Sequence, residues 1–219
     1  MPGNNYKNAK ETDGMTPLDE YHQRQIAEAI ARAERRTDAE LVTVLARRAD
    51  DYAYWPLFCA ALLALLVPGL LHWLLGWPGG RGLLVANVLL FVGLCLLLRQ
   101  PRLAAWLTPQ VLRRWRASRL AREQFREQNL QRTAGATGVL IFVCEAERHV
   151  EILVDRGIEH HLDAAARAVI VARLAEQVRQ GQTLQGFVEC IEACGELLSK
   201  HVPPTHARNE LPNRLVILD

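Results

Sequence analysis

The chain has 219 residues, 26 basic and 24 acidic side chains, a net charge of +2 and a hydrophobic half. That balance excludes a disordered tail, a collagen-like fibre and a disulfide scaffold, and the length allows one ordinary domain or a small domain with an accessory element. The neutral average conceals segregation: residues 57–98 hold one charged side chain, Arg81, residues 99–132 hold nine arginines against Glu123 and Glu127, and the remainder is net acidic.

Residues 1–15 are polar and are expected to be disordered. Thr16-Pro17-Leu18-Asp19 reads as a helix start, with a capping hydroxyl, proline at the first helical position and an early acid. Leu18, His22, Ile26, Ala29, Ile30 and Ala33 then share one helix face, and Leu41–Ala46 is a short β-rich run. Leu57–Trp77 carries no charge and, at 1.5 Å per residue, is long enough for a hydrocarbon core of about 30 Å. Pro68 falls near its middle, where a kink is expected. A second uncharged run, Gly82–Leu98, follows the turn Pro78-Gly79-Gly80-Arg81, so the pair is expected to form a two-helix transmembrane hairpin. All five tryptophans lie between Trp55 and Trp115, flanking these runs as interfacial indoles do. Arg47 and Arg48 precede the first span; Arg99, Arg102, Arg113 and Arg114 follow the second. The positive-inside rule predicts that both soluble flanks, and with them both termini, are cytoplasmic; the expected location is a bacterial inner membrane, crossed twice. His72 is expected to reach the headgroups and Asn87 to bond across the hairpin.

Residues 101–108 suit a segment lying in the interface, and Thr108-Pro109 starts a helix to about Gln131 with Val111, Leu112, Trp115 and Phe125 as an imperfect apolar stripe. Val139–Cys144 is the most strand-like stretch, and Glu145–Arg148 turns it into Val150–Val154 as a hairpin. Helices over about Asp163–Arg179 and Thr183–Lys200 follow, with Gly181 between them, and Leu215–Leu218 offers a small edge strand. The first strand must head toward the bilayer, the basic helix must leave it, and Val139–Cys144 must return. Two like-directed strands with a helix between them form a βαβ unit, here with the membrane hairpin in its crossover. The soluble portions, 16–54 and 109–219, then make one discontinuous cytoplasmic α/β domain.

The five cysteines are odd in number and include no CxxC, which favours reduced thiols. No GxSxG, Walker A, HExxH or GxGxxG occurs. Asp50 and Asp51 after the first strand, with Glu145 and Glu147 in the hairpin turn, place four carboxylates at one end of adjacent strands. Such oxygen donors could hold Ca²⁺ or Mg²⁺, and the simpler reading of the same residues is a solvated acidic rim. Asp155, Glu159, His160, His161 and Asp163 read as a helix-start cluster in which Asp163 caps. Arg99, Arg102, Trp106, Arg113, Arg114 and Arg116 follow directly on an apolar run, so anionic lipid headgroups are their expected partner and nucleic acid is not.

Over LDEYHQRQIAEAIARAERRT, DAELVTVLA, TGVLIFVCEAERHVEILVDRGI and the two closing helices, the chain resembles the TPM domain family. The resemblance implies a TPM-like α/β/α sandwich with a small central sheet. It also implies either an accessory role toward a membrane protein or complex, as in some members, or the divalent-metal-dependent phosphatase activity of others. With no catalytic signature in the sequence, the accessory role is the primary expectation and the phosphatase the alternative.

Overall fold

A computed structural model describes residues 17–50, 54–76, 81–98, 108–133, 135–160, 163–205 and 211–218. Its elements are α1 (Pro17–Glu34), β1 (Glu40–Ala46), α2 (Tyr54–Leu75), α3 (Arg81–Leu98), α4 (Gln110–Glu127), a 3-10 turn (Leu130–Arg132), β2 (Gly138–Cys144), β3 (His149–Val154), α5 (Arg156–Glu159), α6 (Ala164–Arg179), α7 (Thr183–Ser199) and β4 (Leu215–Leu218). Two compact units result. One draws on the described residues of Met1–Ala49 and Ala117–Asp219, the other on those of Asp50–Arg116.

The first unit is built on a four-stranded mixed sheet in the order β3-β2-β1-β4. β1 runs parallel to β2 from Glu40↔Gly138 to Ala46↔Cys144, and β2 pairs antiparallel with β3. The parallel β1–β2 pair and the β2–β3 hairpin agree with the sequence reading. β4 joins as an edge strand parallel to β1, Thr43 opposite Leu215. Both faces of the sheet are covered, which is why β1 and β2 are near-continuous apolar runs rather than alternating ones. Leu41, Val139, Ile141, Val143 and Ile152 pack with Ile26, Ile30, Leu174, Phe187 and Ile191 from α1, α6 and α7. Val42, Val44, Ala46, Leu140 and Phe142 pack on the other side with Ala117, Ala121 and Leu130. The result is an α/β/α sandwich.

The described residues between α7 and β4 are tied to the α1–β1 connection and β1 by polar contacts. Thr37 Oγ1 donates to the Val202 carbonyl (2.7 Å), and Asp38 takes the Thr205 N–H and hydroxyl. Glu40 Oε2 accepts the Leu211 N–H at 3.2 Å, and Thr43 Oγ1 donates to the Arg214 carbonyl at 3.3 Å.

α4 departs from expectation in two respects. It ends at Glu127, after which Asn129 adopts a left-handed conformation (φ 59°) and a 3-10 turn follows. Its fully buried residues are Ala117, Ala121 and Gln124; of the expected stripe, Phe125 packs partly buried against the core, Leu112 is half-buried, and Val111 and Trp115 are 79% and 53% exposed. Small residues let this helix approach the sheet closely, which the larger apolar side chains would prevent.

In the second unit α2 and α3 pack together, with Ala60 and Ala64 buried. Pro56 lies in the first turn of α2, where its missing N–H costs nothing, and α2 continues through Pro68. The helices otherwise expose leucine and valine, including Leu63, Leu66, Leu70, Val85, Leu89 and Leu96. Both are long and apolar enough to cross a membrane, over Trp55–Leu74 and Arg81–Leu98. Asn87 Oδ1 is buried without a hydrogen-bond partner among the described residues. Trp77, the Pro78-Gly79-Gly80 turn and residues 99–107, with Arg99, Arg102 and Trp106, lie outside the described residues.

Candidate functional site: a crevice at the carboxyl ends of the strands

β1, β2 and β4 all point the same way, so their carboxyl ends share one edge of the sheet. Open α/β sheets place their ligand crevices outside that edge. A crevice of about 450 Å³ lies here, floored by Ile26, Leu45, Phe187, Leu215 and Ile217 and rimmed by His22, Glu145, Gln182, Thr183 and Gln185.

Each wall has a local cause. α6 ends in a Schellman arrangement in which the Gln182 N–H reaches the Gln177 carbonyl (2.9 Å) and the Gly181 N–H reaches the Val178 carbonyl (3.1 Å). Gly181 takes φ +75°, a conformation that a side chain would strain, and the reversal sends Thr183–Gln185 across the crevice mouth. Gln185 Nε2 is oriented by Glu189 (2.9 Å). Side-chain bonds from Gln185 and Gln177 hold the Glu189 carboxyl below its ordinary range, helped by Arg173 at 2.8 Å. His22 comes from α1, one turn before buried Ile26. Such a surface, apolar below and hydrogen-bonding above, is suited to seating an apolar group while orienting a polar one.

The four carboxylates of the sequence reading are placed differently from one another. Glu145 stands on the crevice rim. Glu147 folds back, accepting the Ala49 N–H (3.2 Å) and the Cys144 thiol. Asp50 pairs with Arg116 at 3.0 Å, and Asp51 lies outside the described residues. Among the described residues no three His, Cys, Asp or Glu side chains stand close enough to hold a metal ion. In the basic segment Arg114 is exposed, Arg113 is half-buried, and Arg116 also lies over the Trp115 ring, 5.5 Å from its centroid.

Two further clusters are structural in their chemistry. Burial and Glu147 push the Cys144 thiol upward, which removes it as a thiolate nucleophile. Glu151 bonds His149 at 3.0 Å and also accepts from Ser118, with Arg122 nearby. Burial raises this carboxyl, but the His149 and Ser118 bonds and the neighbouring positive charge outweigh it, and the net shift is downward. Ser118 thus serves the carboxylate rather than the imidazole, the reverse of a nucleophile–base pair. Asp163 Oδ1 caps α6 through the Ala165 N–H (3.1 Å), as its position predicts, and His161 lies outside the described residues.

The sequence reading found Glu145 but not His22, Gln182, Thr183 or Gln185. Gly181 between two helices was the available signal, since a left-handed helix end marks a sharp reversal.

The fold and crevice define an α/β/α sandwich with a mixed four-stranded sheet and an open carboxyl edge. Within that class, a family model described as the TPM domain matches residues 108–197, from just before α4 into the last turn of α7. α1, β1 and β4, which complete the sheet and the crevice, lie outside the matched stretch. The chain is also similar to the NMR structure of BA42 protein from the psychrophilic bacterium Bizionia argentinensis, with a TM-score of 0.56 and 18% identity over 95% of this chain and 99% of that one. That likeness shows the fold alone. No curated protein matches the chain.

Proposed function

We propose that this protein is a non-enzymatic accessory or binding module of the bacterial inner membrane. In this reading α2 and α3 cross the bilayer, the TPM domain is cytoplasmic, and the crevice receives part of a membrane protein or complex. The observation that carries it is the crevice itself: an apolar floor of Ile26, Phe187, Leu215 and Ile217 under a rim of amide and imidazole groups. This composition fits a protein side chain with a flanking polar backbone better than a small charged substrate.

A photo-crosslinking residue at Gln182 tests it in native membranes, with Val169, exposed on α6, as the control position. A discrete membrane-protein adduct at 182, absent at 169 and abolished by Ile217→Arg, is the expected result. Equal labelling from both positions would refute the reading.

Glu145 on the rim supports a second reading, a divalent-metal-dependent phosphatase, because it is a carboxylate at the crevice mouth. Hydrolysis of a phosphate ester with Mg²⁺ or Ca²⁺, lost in Glu145→Gln, would favour it over the binding module.

A further inference from the structure

The exposed side of α4 combines features that a helix covering a sheet does not need. Its packing is complete on the opposite side, through Ala117, Ala121 and Gln124. On the outward side Val111 and Trp115 stand one turn apart, 79% and 53% exposed, and Arg114, Arg119, Arg122 and Arg126 are exposed around and beyond them. Glu123 and Glu127 fall to one flank of this face. Hydrating the paired valine and indole forgoes the free energy of burying them, and four like charges along one face repel each other. Both costs are offset at the surface of an anionic bilayer. There the indole sits at headgroup depth, valine reaches the acyl boundary, and arginines pair with lipid phosphate.

From this geometry we infer that the face of α4 formed by Val111, Arg114, Trp115, Arg119, Arg122 and Arg126 is a docking surface for anionic lipid headgroups. Continuity of the chain favours lipid over other polyanions: only eleven residues separate Leu98, the end of apolar α3, from Gln110, the start of α4. The arrangement also differs from the expected set. Arg116 pairs with Asp50, and Arg119, Arg122 and Arg126 extend the exposed basic face further along the helix. Arg122 additionally lies near Glu151, which reduces its share in lipid attraction.

The inference rests on bilayer insertion of α2–α3, and the experiment reads the two separately. The full chain, with Trp55, Trp73, Trp77 and Trp106 replaced by phenylalanine so that Trp115 alone emits, is reconstituted into phosphatidylcholine vesicles with or without phosphatidylglycerol. Flotation reports insertion. Acrylamide and a shallow nitroxide-labelled lipid then report where Trp115 lies.

Docking predicts a blue-shifted Trp115 in the anionic vesicles, shielded from acrylamide and quenched by the nitroxide. Each Arg→Gln change at 114, 119 or 126 should lower the docked-to-free ratio by about fivefold, and 1 M salt should act in the same direction. Identical acrylamide quenching in neutral and anionic vesicles, with the chain floating in both, would overturn the docking surface while leaving insertion intact. A chain that does not float would overturn both. Shielding of Trp115 by single-stranded RNA but not by phosphatidylglycerol would assign the face to nucleic acid instead. Should the four-phenylalanine chain fail to fold, the difference in quenching between the native chain and Trp115→Ala carries the same information.

Discussion

Glu34, at the end of α1, sets up a pH dependence of known sign. Burial is the main influence and raises its carboxyl, and the charge of Glu40 adds to it. Hydrogen bonds from the Leu41 N–H (3.1 Å) and the Asn213 side chain oppose, leaving a value of about 7 against 4.5 for the free group. Between those values the folded chain keeps a proton that the unfolded chain has released. Stability therefore falls as pH rises from about 4.5 to about 7 and stays lower above it. A gap of that width is worth about 3 kcal/mol for a fully desolvated group; Glu34 is only partly buried, and screening by solvent reduces the expected figure to about 1–2 kcal/mol. Glu34→Gln keeps an acceptor for the Leu41 N–H without the charge. It should stabilise the α/β unit by that amount at pH 8 and by only about a quarter of it at pH 5. Tryptophan emission would miss the effect, because all five tryptophans lie between 55 and 115. Cys144, Cys190 and Cys194 are buried in the sandwich, so pulse alkylation through a urea series reports its opening directly. Comparing both chains at each pH cancels the thiolate fraction. Equal urea midpoints at pH 8, or the same gain at both pH values, would refute the argument.

The same thiol assay distinguishes two glycines of α7. A Cβ at Gly195 would stand 2.7 Å from the Ala33 Cβ and 3.1 Å from its Cα, so α1 and α7 would have to part; Gly195→Ala should cost about 1–3 kcal/mol despite the better helix propensity of alanine. Gly186→Ala meets first the tip of Leu174, which can swing aside, and should be close to neutral. Glu151→Gln should cost about 1 kcal/mol at pH 7, since its folded titration is depressed and its contribution is present above the unfolded pKa. That difference should vanish as acid protonates the native carboxylate, and a constant difference down to acid unfolding would refute the role of the charge. For membrane insertion, the intact chain should resist alkaline carbonate extraction, and a periplasm-active reporter fused after Asp219 should be silent; release into the supernatant or a bright reporter contradicts the proposed topology.

The sheet was legible in the chain because each strand announces itself locally. Val139–Cys144 has β-branched and aromatic side chains, and a four-residue connection leaves β3 no choice but the antiparallel neighbour. Parallel pairing of β1 with β2 followed from direction alone: a chain that goes out to α2 and returns through α4 must start its next strand the same way round. The crevice was not legible, since it joins the first helix, the α6–α7 reversal and the last strand. No local pattern records that His22, Gln182 and Ile217 share one wall. That Ala117 and Ala121, and not Val111 and Trp115, are the buried residues of α4 was not legible for a related reason. Hydrophobicity ranks Val111 and Trp115 above Ala117 and Ala121, but close approach to the sheet selects for small volume.

The register that joins Glu40 to Gly138 links positions nearly a hundred residues apart, with both apolar helices between them. During synthesis β1 emerges long before its two partners, β2 and β4. Its apolar run must therefore wait, unpaired, while the intervening helices leave the ribosome. Completion of the sandwich is thereby made contingent on delivery of the intervening helices, a built-in order of assembly that matures the α/β unit only after both apolar helices have been made.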